Sequence, residues 1–351
     1  MCPLETMENH VTATQNAEPK PGRSGASSAA DTTSTAGAAA LPRTGSSGRL
    51  GNRIFAGLST GSGVLILVIL AAVAAFLLYR AWPALTAGAD TFAEVDFMSG
   101  RGLWAWVAPL VFGTVLSSVL ALVVAVPLSI GIALFISHYA PRRLAQLLGY
   151  VIDLLAAIPS VIFGLWGIQW LMPLVSPVFT WLSTRLGFIP LFAGYQAPAR
   201  NIMTAGLVLA VMILPIITAT IREVFLQTPR LHEEASLALG ATRWEMIRQA
   251  VLPFGRSGII SAAMLGLGRA LGETMAVLMV LSPGYAINLF LLQPGQHQSI
   301  AANIASHLPE AGSTGVDALI ASGLILFAVT FGVNLIARWV INRRAEFSGA
   351  N

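Results

Sequence analysis

Charged residues are scarce in this sequence: they make up 10% of its 351 residues, whereas hydrophobic residues make up 55%. An average soluble domain is about 25% charged, because charge covers its surface. The composition therefore excludes an ordinary soluble globule. The net charge of +4 does not indicate a nucleic-acid partner, because the arginines stand at the ends of apolar runs, as in proteins oriented in a membrane.

Cysteine is almost absent, and aromatic residues are missing from the N-terminal region. The single cysteine, Cys2, excludes a disulfide within the chain and a cluster of thiolate metal ligands. Residues 1–50 contain no aromatic residue and are rich in Ala, Ser, Thr, Gly and Pro. Such a segment buries too little apolar area to offset the entropy lost on ordering. We predict a disordered tail over residues 1–55 and a short C-terminal tail over 346–351.

Six apolar runs are long enough to cross a bilayer as helices, since the hydrocarbon core takes about 20 residues of helix. The runs cover residues 62–79, 106–137, 146–172, 202–221, 258–281 and 318–341. The sequence therefore predicts an all-α membrane protein with six transmembrane helices. Its membrane domain is expected to extend over residues 56–345.

The distribution of arginine predicts how these helices are oriented. An even number of spans places both termini on one side, and that side collects most of the arginines: Arg43, Arg49, Arg53, Arg142, Arg143, Arg222, Arg230, Arg243, Arg248, Arg256, Arg338, Arg343 and Arg344. The other side has only Arg80, Arg101, Arg185 and Arg200. Because positive residues accumulate on the cytoplasmic side, we expect both termini in the cytoplasm and the protein in the inner membrane.

The cytoplasmic stretch between the fourth and fifth runs carries several helix-boundary signals. Pro229 is typical of the first position of a helix, and Gly240 suits the left-handed position that ends one. Thr242 and Glu245 predict a capping box for a second helix, which Pro253 is expected to end. The pattern predicts two short helices joined by a turn. On helical signals alone, an amphipathic connector on the membrane surface fits equally well.

The same stretch resembles the EAA loop of the permease subunits of ABC importers. The matching residues are Glu234, Ala235, Gly240, Leu252 and Pro253, while Ser236 and Ala250 depart from the usual Ala and Ile. The resemblance implies that residues 228–253 are coupling helices that dock on a separate ATP-binding subunit. It also implies the all-helical fold of type I (MetI-like) importer permeases. A docked helix pair would transmit nucleotide-driven closure to the membrane helices.

Two charged residues lie in the middle of the fifth apolar run, where an unpaired charge is costly. Arg269 and Glu273 are four residues apart, so a continuous helix places them on one face. Gly268 and Gly272 form a GxxxG step, which predicts the close approach of another helix. Two interpretations are open. In the first, Arg269 meets an anion in transit, its planar fork of donors being suited to phosphate, and Glu273 holds or releases that anion. In the second, the two residues form an internal ion pair.

The string GRALGETMAV in this run is similar to the permeases of phosphate importers, and its GETMAV ending favours one of the two permease subunits of such importers over the other. The segments at 156–167 and 109–135 extend the likeness, which covers about residues 60–345. The resemblance implies that the chain transports inorganic phosphate with three partners: a second permease subunit, a dimer of ATP-binding subunits, and an extracytoplasmic phosphate-binding protein. ATP and magnesium would be used by the ATP-binding subunit, so we expect no cofactor on this chain.

The outer loops are the expected docking surface for that binding protein. They cover residues 80–105, 173–201 and 282–317, and the last contains neither Lys nor Arg. This loop is long for a simple connector. Its residues 299–308 have the spacing of a short surface helix.

Other functions fit parts of the sequence less well. A permease for another oxyanion or small solute would share the coupling loop, whereas a passive channel has no use for one. The string GRSG at 255–258 matches an intramembrane serine protease, but all five histidines lie in predicted tails or loops, so no base is within reach and no metal site is expected. The sequence has no GxxxxGK[ST] motif for ATP. We expect a transport subunit and not an enzyme.

Overall fold

The computed structural model describes residues 47–345, and that part of the chain is helical and contains no β-strand. The helices are α1 (Ser47–Thr86), α2 (Leu103–Leu134), α3 (Arg142–Ala156), α4 (Ser160–Trp166), α5 (Met172–Leu186), α6 (Ile202–Leu226), α7 (Arg230–Ala238), α8 (Arg243–Met246), α9 (Leu252–Leu271), α10 (Met275–Val280), α11 (Ile300–His307) and α12 (Ser313–Ala345). Wider π turns at Phe135–Tyr139, Gly167–Leu171 and Ile247–Val251 extend or join helices. The tails predicted for residues 1–46 and 346–351 lie outside the described residues.

Six helical segments of the described range are long and apolar enough to cross a membrane, as the sequence predicts. They are Gly51–Thr86, Leu103–Tyr139, Ser160–Leu186, Ile202–Leu226, Arg243–Leu271 and Ser313–Trp339. The tail boundary at residue 55 is wrong, because α1 already begins at Ser47. The sequence has no proline between Pro42 and the apolar run, so nothing stops the helix from extending into the polar segment.

The third span differs from its predicted range of 146–172. Helix α3 ends at Ala156, and the spanning helix begins only at Ser160, after Pro159. A proline disfavours helical geometry in the residue before it, so the chain turns at this point. Helix α3 is amphipathic, and its Gly149 lies so close to the guanidinium of Arg222 that an added Cβ would overlap it. It therefore rests against the end of α6 and does not form part of a span.

Helix α6 is the centre of the bundle. In the most apolar 18-residue stretch of α6, 67% of the residues are buried, whereas in the corresponding stretch of α1 the share is 0%. Small residues bring its neighbours close: a Cβ added to Gly206 would lie 2.8 Å from Cβ of Leu120 in α2, and one added to Gly266 of α9 would lie 2.5 Å from Cδ1 of Ile217. The core is therefore built by α2, α6 and α9 in direct contact.

A second buried cluster closes the end of the bundle opposite α7. It joins the end of α1 to the start of α2 and to α11 and α12, with Trp106 fully buried at its centre. An ion pair between Arg80 and Asp317, at 3.0 Å, ties the same end of α1 to the start of α12. We call the end with α7 the basic end, and this one the opposite end.

The loop of residues 282–299 is folded into the opposite end. Main-chain carbonyls of its Leu291 and Leu292 accept hydrogen bonds from Met203 N at 3.2 Å and Asn201 Nδ2 at 3.0 Å. The short helix predicted over 299–308 is present as α11, but its residues Ile300 and Asn303 are buried. The prediction that 299–308 is a surface helix is therefore wrong for the face that carries these two residues, and the loop before it finds its backbone partners inside the protein. The loop predicted over 173–201 also begins with α5, which continues to Leu186.

The position of this loop gives a test of the fold. A Cβ added to Gly113 of α2 would overlap the carbonyl oxygen of Gln298, whereas one added to Gly131 of the same helix meets nothing within 4 Å. We expect Gly113→Ala to lower the thermal unfolding midpoint of the purified protein, because backbone must move to make room. Gly131→Ala should leave the midpoint unchanged or raise it, since alanine favours a helix by about 1 kcal/mol over glycine. Equal midpoints for the two variants would contradict the packing described here.

Candidate functional site

The helix pair, α7 and α8, occupies residues 230–246 at the basic end. Helix α7 ends at a turn in which Gly240 has a φ of +86°, the left-handed conformation that the sequence predicts there. Thr242 Oγ1 accepts a hydrogen bond from Glu245 N at 3.4 Å, and Glu245 Oε2 accepts one from Thr242 N at 2.8 Å. The capping box is therefore formed as predicted. Pro229 precedes the first residue of α7 instead of being that residue.

The predicted end of the second helix at Pro253 is wrong. Helix α8 continues through the π turn Ile247–Val251 into α9, and Pro253 lies in the first turn of α9. The backbone N–H of Leu252 bonds to the carbonyl of Ile247, as in a π turn. The next residue, Pro253, has no N–H to donate, so the change of hydrogen-bond register comes just before it. The helix pair is thus joined without a loop to the fifth span, Arg243–Leu271.

A histidine that the sequence gave no reason to select holds the helix pair to the bundle. His138, in the π turn that extends α2, has Nε2 3.5 Å from Oε1 of Glu233 in α7. Its ring also packs edge-on against Phe225 near the end of α6, with centroids 6.5 Å apart. His138 therefore links α2, α6 and α7. A single histidine in a predicted loop has no spacing pattern, so only the structure identifies it.

The outer surface of the helix pair carries exposed apolar side chains among charged ones. Leu231, Leu239 and Trp244 are 75%, 91% and 56% exposed, and Glu234 and Ala235 are exposed beside them. Leu252 is half-buried and Pro253 is exposed. Exposed leucines and a tryptophan close to charged residues are typical of surfaces that bind other proteins.

The fifth span, which the sequence predicts as one helix over residues 258–281, is broken between Arg269 and Glu273. Helix α9 ends at Leu271, and α10 begins at Met275 after three non-helical residues. Glu273 Oε1 accepts a hydrogen bond from Ala276 N at 3.1 Å, so this carboxylate caps α10. The expectation that the two charges share the face of one continuous helix is wrong, because α9 ends at Leu271, before Glu273. Within the described part of the chain, Arg269 and Glu273 do not form an ion pair with each other.

Arg269 instead lines a cavity of about 580 Å³ between α6, α9 and α12. Its Nε is buried and has no hydrogen-bond partner among the described residues, and Arg338 of α12 lines the same cavity. Arginine presents five donors and remains protonated at physiological pH. The cavity therefore has unused donors with positive charge at the break in the fifth span.

The glycine step of this helix does not pack as expected. A Cβ added to Gly268 meets nothing within 4 Å, and one added to Gly272 meets only the carbonyl of Gly268 in the preceding turn. The glycines of α9 that contact α6 are Gly255, Gly258 and Gly266. The prediction that Gly268 and Gly272 admit a neighbouring helix is therefore wrong within the described chain, because that face of α9 borders the cavity.

Comparison with known proteins adds to this geometry. A family model described as binding-protein-dependent transport system inner membrane component matches residues 125–346. Phosphate transport system permease protein PstC 2 of Mycobacterium tuberculosis is 47% identical over 298 residues, which cover 83% of this chain and 91% of that protein. Phosphate transport system permease protein PstC of Xylella fastidiosa is 39% identical over 297 residues, with the same coverage of 83% and 91%.

A solved structure supports the fold independently. It is a crystal structure of a bacterial ABC transporter involved in the import of the acidic polysaccharide alginate, and the similarity covers 84% of this chain and 99% of that chain, with a TM-score of 0.51 and 17% identity. The matches define a class: inner-membrane components of binding-protein-dependent transport, which are multi-pass membrane proteins and not enzymes. Within that class, the chain belongs to the PstC family of permease proteins, as the GETMAV ending predicts.

A buried histidine makes the 282–299 loop sensitive to pH. His297 is 1% exposed, and its Nε2 donates to Asn288 O at 2.8 Å, while Nδ1 is buried without a partner among the described residues. Burial lowers the pKa of His297 below its ordinary value of 6.5, against the smaller opposing effect of the hydrogen bond to Asn288. The folded protein therefore binds a proton here less readily than the unfolded chain does.

We expect stability to fall as the pH falls below about 6.5, because the unfolded chain then takes up a proton that folded His297 rejects. The loss should stop once the pH is below the folded pKa. The measurement is the thermal unfolding midpoint of the purified protein between about pH 7 and pH 5. His297→Gln should reduce the drop, and His232→Gln, at an exposed position, should not. An unchanged pH dependence in His297→Gln would refute this account.

Proposed function

We propose that this chain is a permease subunit of an ATP-driven importer of inorganic phosphate, in which it forms the translocation path together with a second permease subunit. The observation that carries the proposal is the 47% identity, over 83% of the chain, to proteins named as phosphate transport system permeases. The partners would be a PstA-like permease, a dimer of PstB-like ATP-binding subunits and a PstS-like extracytoplasmic phosphate-binding protein. ATP and magnesium would be used by the ATP-binding subunits.

In this proposal, the basic end faces the cytoplasm, and both termini lie on that side. The excess of arginine at this end supports the orientation. The helix pair would dock on the ATP-binding subunit through Leu231, Leu239 and Trp244, which have apolar surface free in this chain. Its continuous connection to α9 and its link through His138 to α2 would carry motion of the docked subunit to the spans.

The break in the fifth span would form part of the phosphate path. Arg269 would donate to phosphate oxygens from the cavity that it lines, and Glu273 would fix the start of α10 beside it. Discontinuous membrane helices commonly form substrate sites, because their free ends supply polar groups at membrane depth. The separate placement of the two charges favours this role over a simple ion pair.

The coupling role can be tested at Gly240. A β-branched residue strongly disfavours the positive φ required there, so Gly240→Val should reshape the helix pair; Gly240→Pro and Glu234→Lys should act on the same surface. We expect normal membrane insertion, weaker copurification of the ATP-binding subunit and loss of phosphate uptake. Gly100→Val, which introduces the same strain at a φ of +71° at the opposite end, should leave copurification intact. Normal copurification and uptake in all three helix-pair variants would exclude the coupling role.

The path role can be tested at Arg269 and Glu273. Arg269→Gln should reduce labelled phosphate uptake by about tenfold or more, since a hydrogen bond to a charged group contributes about 1.5–3 kcal/mol. Arg269→Lys keeps the charge but loses the planar fork, so uptake should remain impaired. Arg256→Gln, an exposed position at the basic end of the same helix, is the control. Recovery of uptake in the double variant Arg269→Gln with Glu273→Gln would indicate a structural ion pair and refute the path role.

A further inference from the structure

A second cavity, of about 380 Å³, lies at the opposite end. It is bordered by α10, by the 282–299 loop, by α11 and by Arg200 just before α6. Helix α10 leads from the break in the fifth span to the second cavity. Glu273 caps its start, while Val277 and Leu278 of the helix and Leu281 just after it border the second cavity. Six residues of helix span about 9 Å. A solute leaving this cavity along α10 would therefore reach the break in the fifth span.

The cavity has positive charge and no acidic side chain among its lining residues. Arg200 Nη2 donates to the carbonyl of Met279 at 3.1 Å, and its own carbonyl accepts from Ser282 N at 3.2 Å, so it is held at the end of α10. Arg200 has no ion-pair partner among the described residues, and its remaining donors are available to a guest. The guanidinium of Arg101 lies 5.8 Å from the ring centre of Tyr285, which adds a second positive charge beside the cavity.

The hydroxyl of Tyr285 is also a donor for a guest. It accepts a hydrogen bond from Asn303 Nδ2 at 2.8 Å, which leaves its own proton to be donated. The cavity thus offers a planar cationic donor, Arg200, and a neutral donor, the hydroxyl of Tyr285. Two such donors suit a small oxyanion.

One acceptor in the same cavity narrows the class of ligand. Gln298 also lines the cavity, but its Oε1 is enclosed by protein and is not open to a guest. His307 Nδ1 lies 3.0 Å from the carbonyl of Asn303, which can only accept, so Nδ1 carries the proton and Nε2 keeps its lone pair. A ligand with its own O–H group would donate to this nitrogen.

We propose that this cavity is an entry site for a protonated oxyanion, which Arg200 and Tyr285 bind through its charged oxygens and from which His307 accepts a hydrogen bond. Phosphate retains protons at neutral pH, whereas sulfate and a lipid-like phosphodiester do not, so the combination of donors with an acceptor selects phosphate. The inference rests on the proposed function. It assigns to the permease itself a step of anion selection, before the anion reaches Arg269.

The test uses the scarcity of cysteine in the chain. In a Cys2→Ser background, Ser99→Cys places the only thiol at an exposed residue that lines the cavity. The full-length chain, coproduced with its copurifying subunits in membrane vesicles, is labelled with a charged maleimide. Inorganic phosphate, sulfate or dimethyl phosphate is added as the competing anion. We expect phosphate to slow labelling, and sulfate and dimethyl phosphate to have little effect.

Two variants assign the binding groups. Arg200→Gln should weaken protection by phosphate about tenfold, which corresponds to about 1.4 kcal/mol. His307→Phe keeps a ring but removes the acceptor, so the difference between phosphate and sulfate should shrink. Gln196→Phe, which introduces the same side chain at an exposed residue outside the cavity, should behave as the parent does. Absence of protection by phosphate in the parent, equal protection by all three anions, or full protection in Arg200→Gln would overturn the proposal.

Labelled phosphate uptake in the parent separates this inference from the proposed function. Uptake without protection would refute the entry site and leave the importer proposal intact. Protection without uptake would support the entry site while the importer proposal fails.

Discussion

The packing of α6 against α2 and α9 is the interaction on which the rest of this structure depends. Membrane helices gain little from burying apolar surface, because lipid is as apolar as leucine, so close contact through small residues has to hold them together. Gly206 and Gly266 provide that contact at the two faces of α6. Both functional regions follow from it, because α6 leads directly to the helix pair and α9 carries Arg269 in its last turn.

The same packing allows the fifth span to break. Irregular backbone at membrane depth is stable only where protein or a polar cavity satisfies its freed groups. Here Glu273 accepts from the main chain of α10, and the hydroxyl of Thr274 donates to the carbonyl of Gly272 at 3.3 Å. The break separates Arg269 from Glu273 and leaves the arginine available to a ligand.

Continuous helix joins α8, the second helix of the pair, to the break in the fifth span. From Arg243 through the π turn to Arg269 the chain is helical, a length of about 39 Å at 1.5 Å per residue. His138 adds a side-chain link between α7 and the end of α2. A displacement of the helix pair therefore has a direct mechanical route to Arg269, and the opposite end is held separately by its own buried cluster.

The sequence by itself determined the number of spans, the turn at Gly240, the capping box of Thr242 and Glu245, and the family. These features depend on local composition and on residues a few positions apart. Tertiary structure alone decided that α3 lies beside α6, that Pro253 continues a helix, that Arg269 and Glu273 separate, and that the 282–299 loop folds inward. The place of α3 depends on the contact of its Gly149 with Arg222, and that of the loop depends on buried backbone groups finding hydrogen-bond partners, such as Thr114 for Ile300 or Asn201 for Leu292. These contacts join residues that are distant in the sequence.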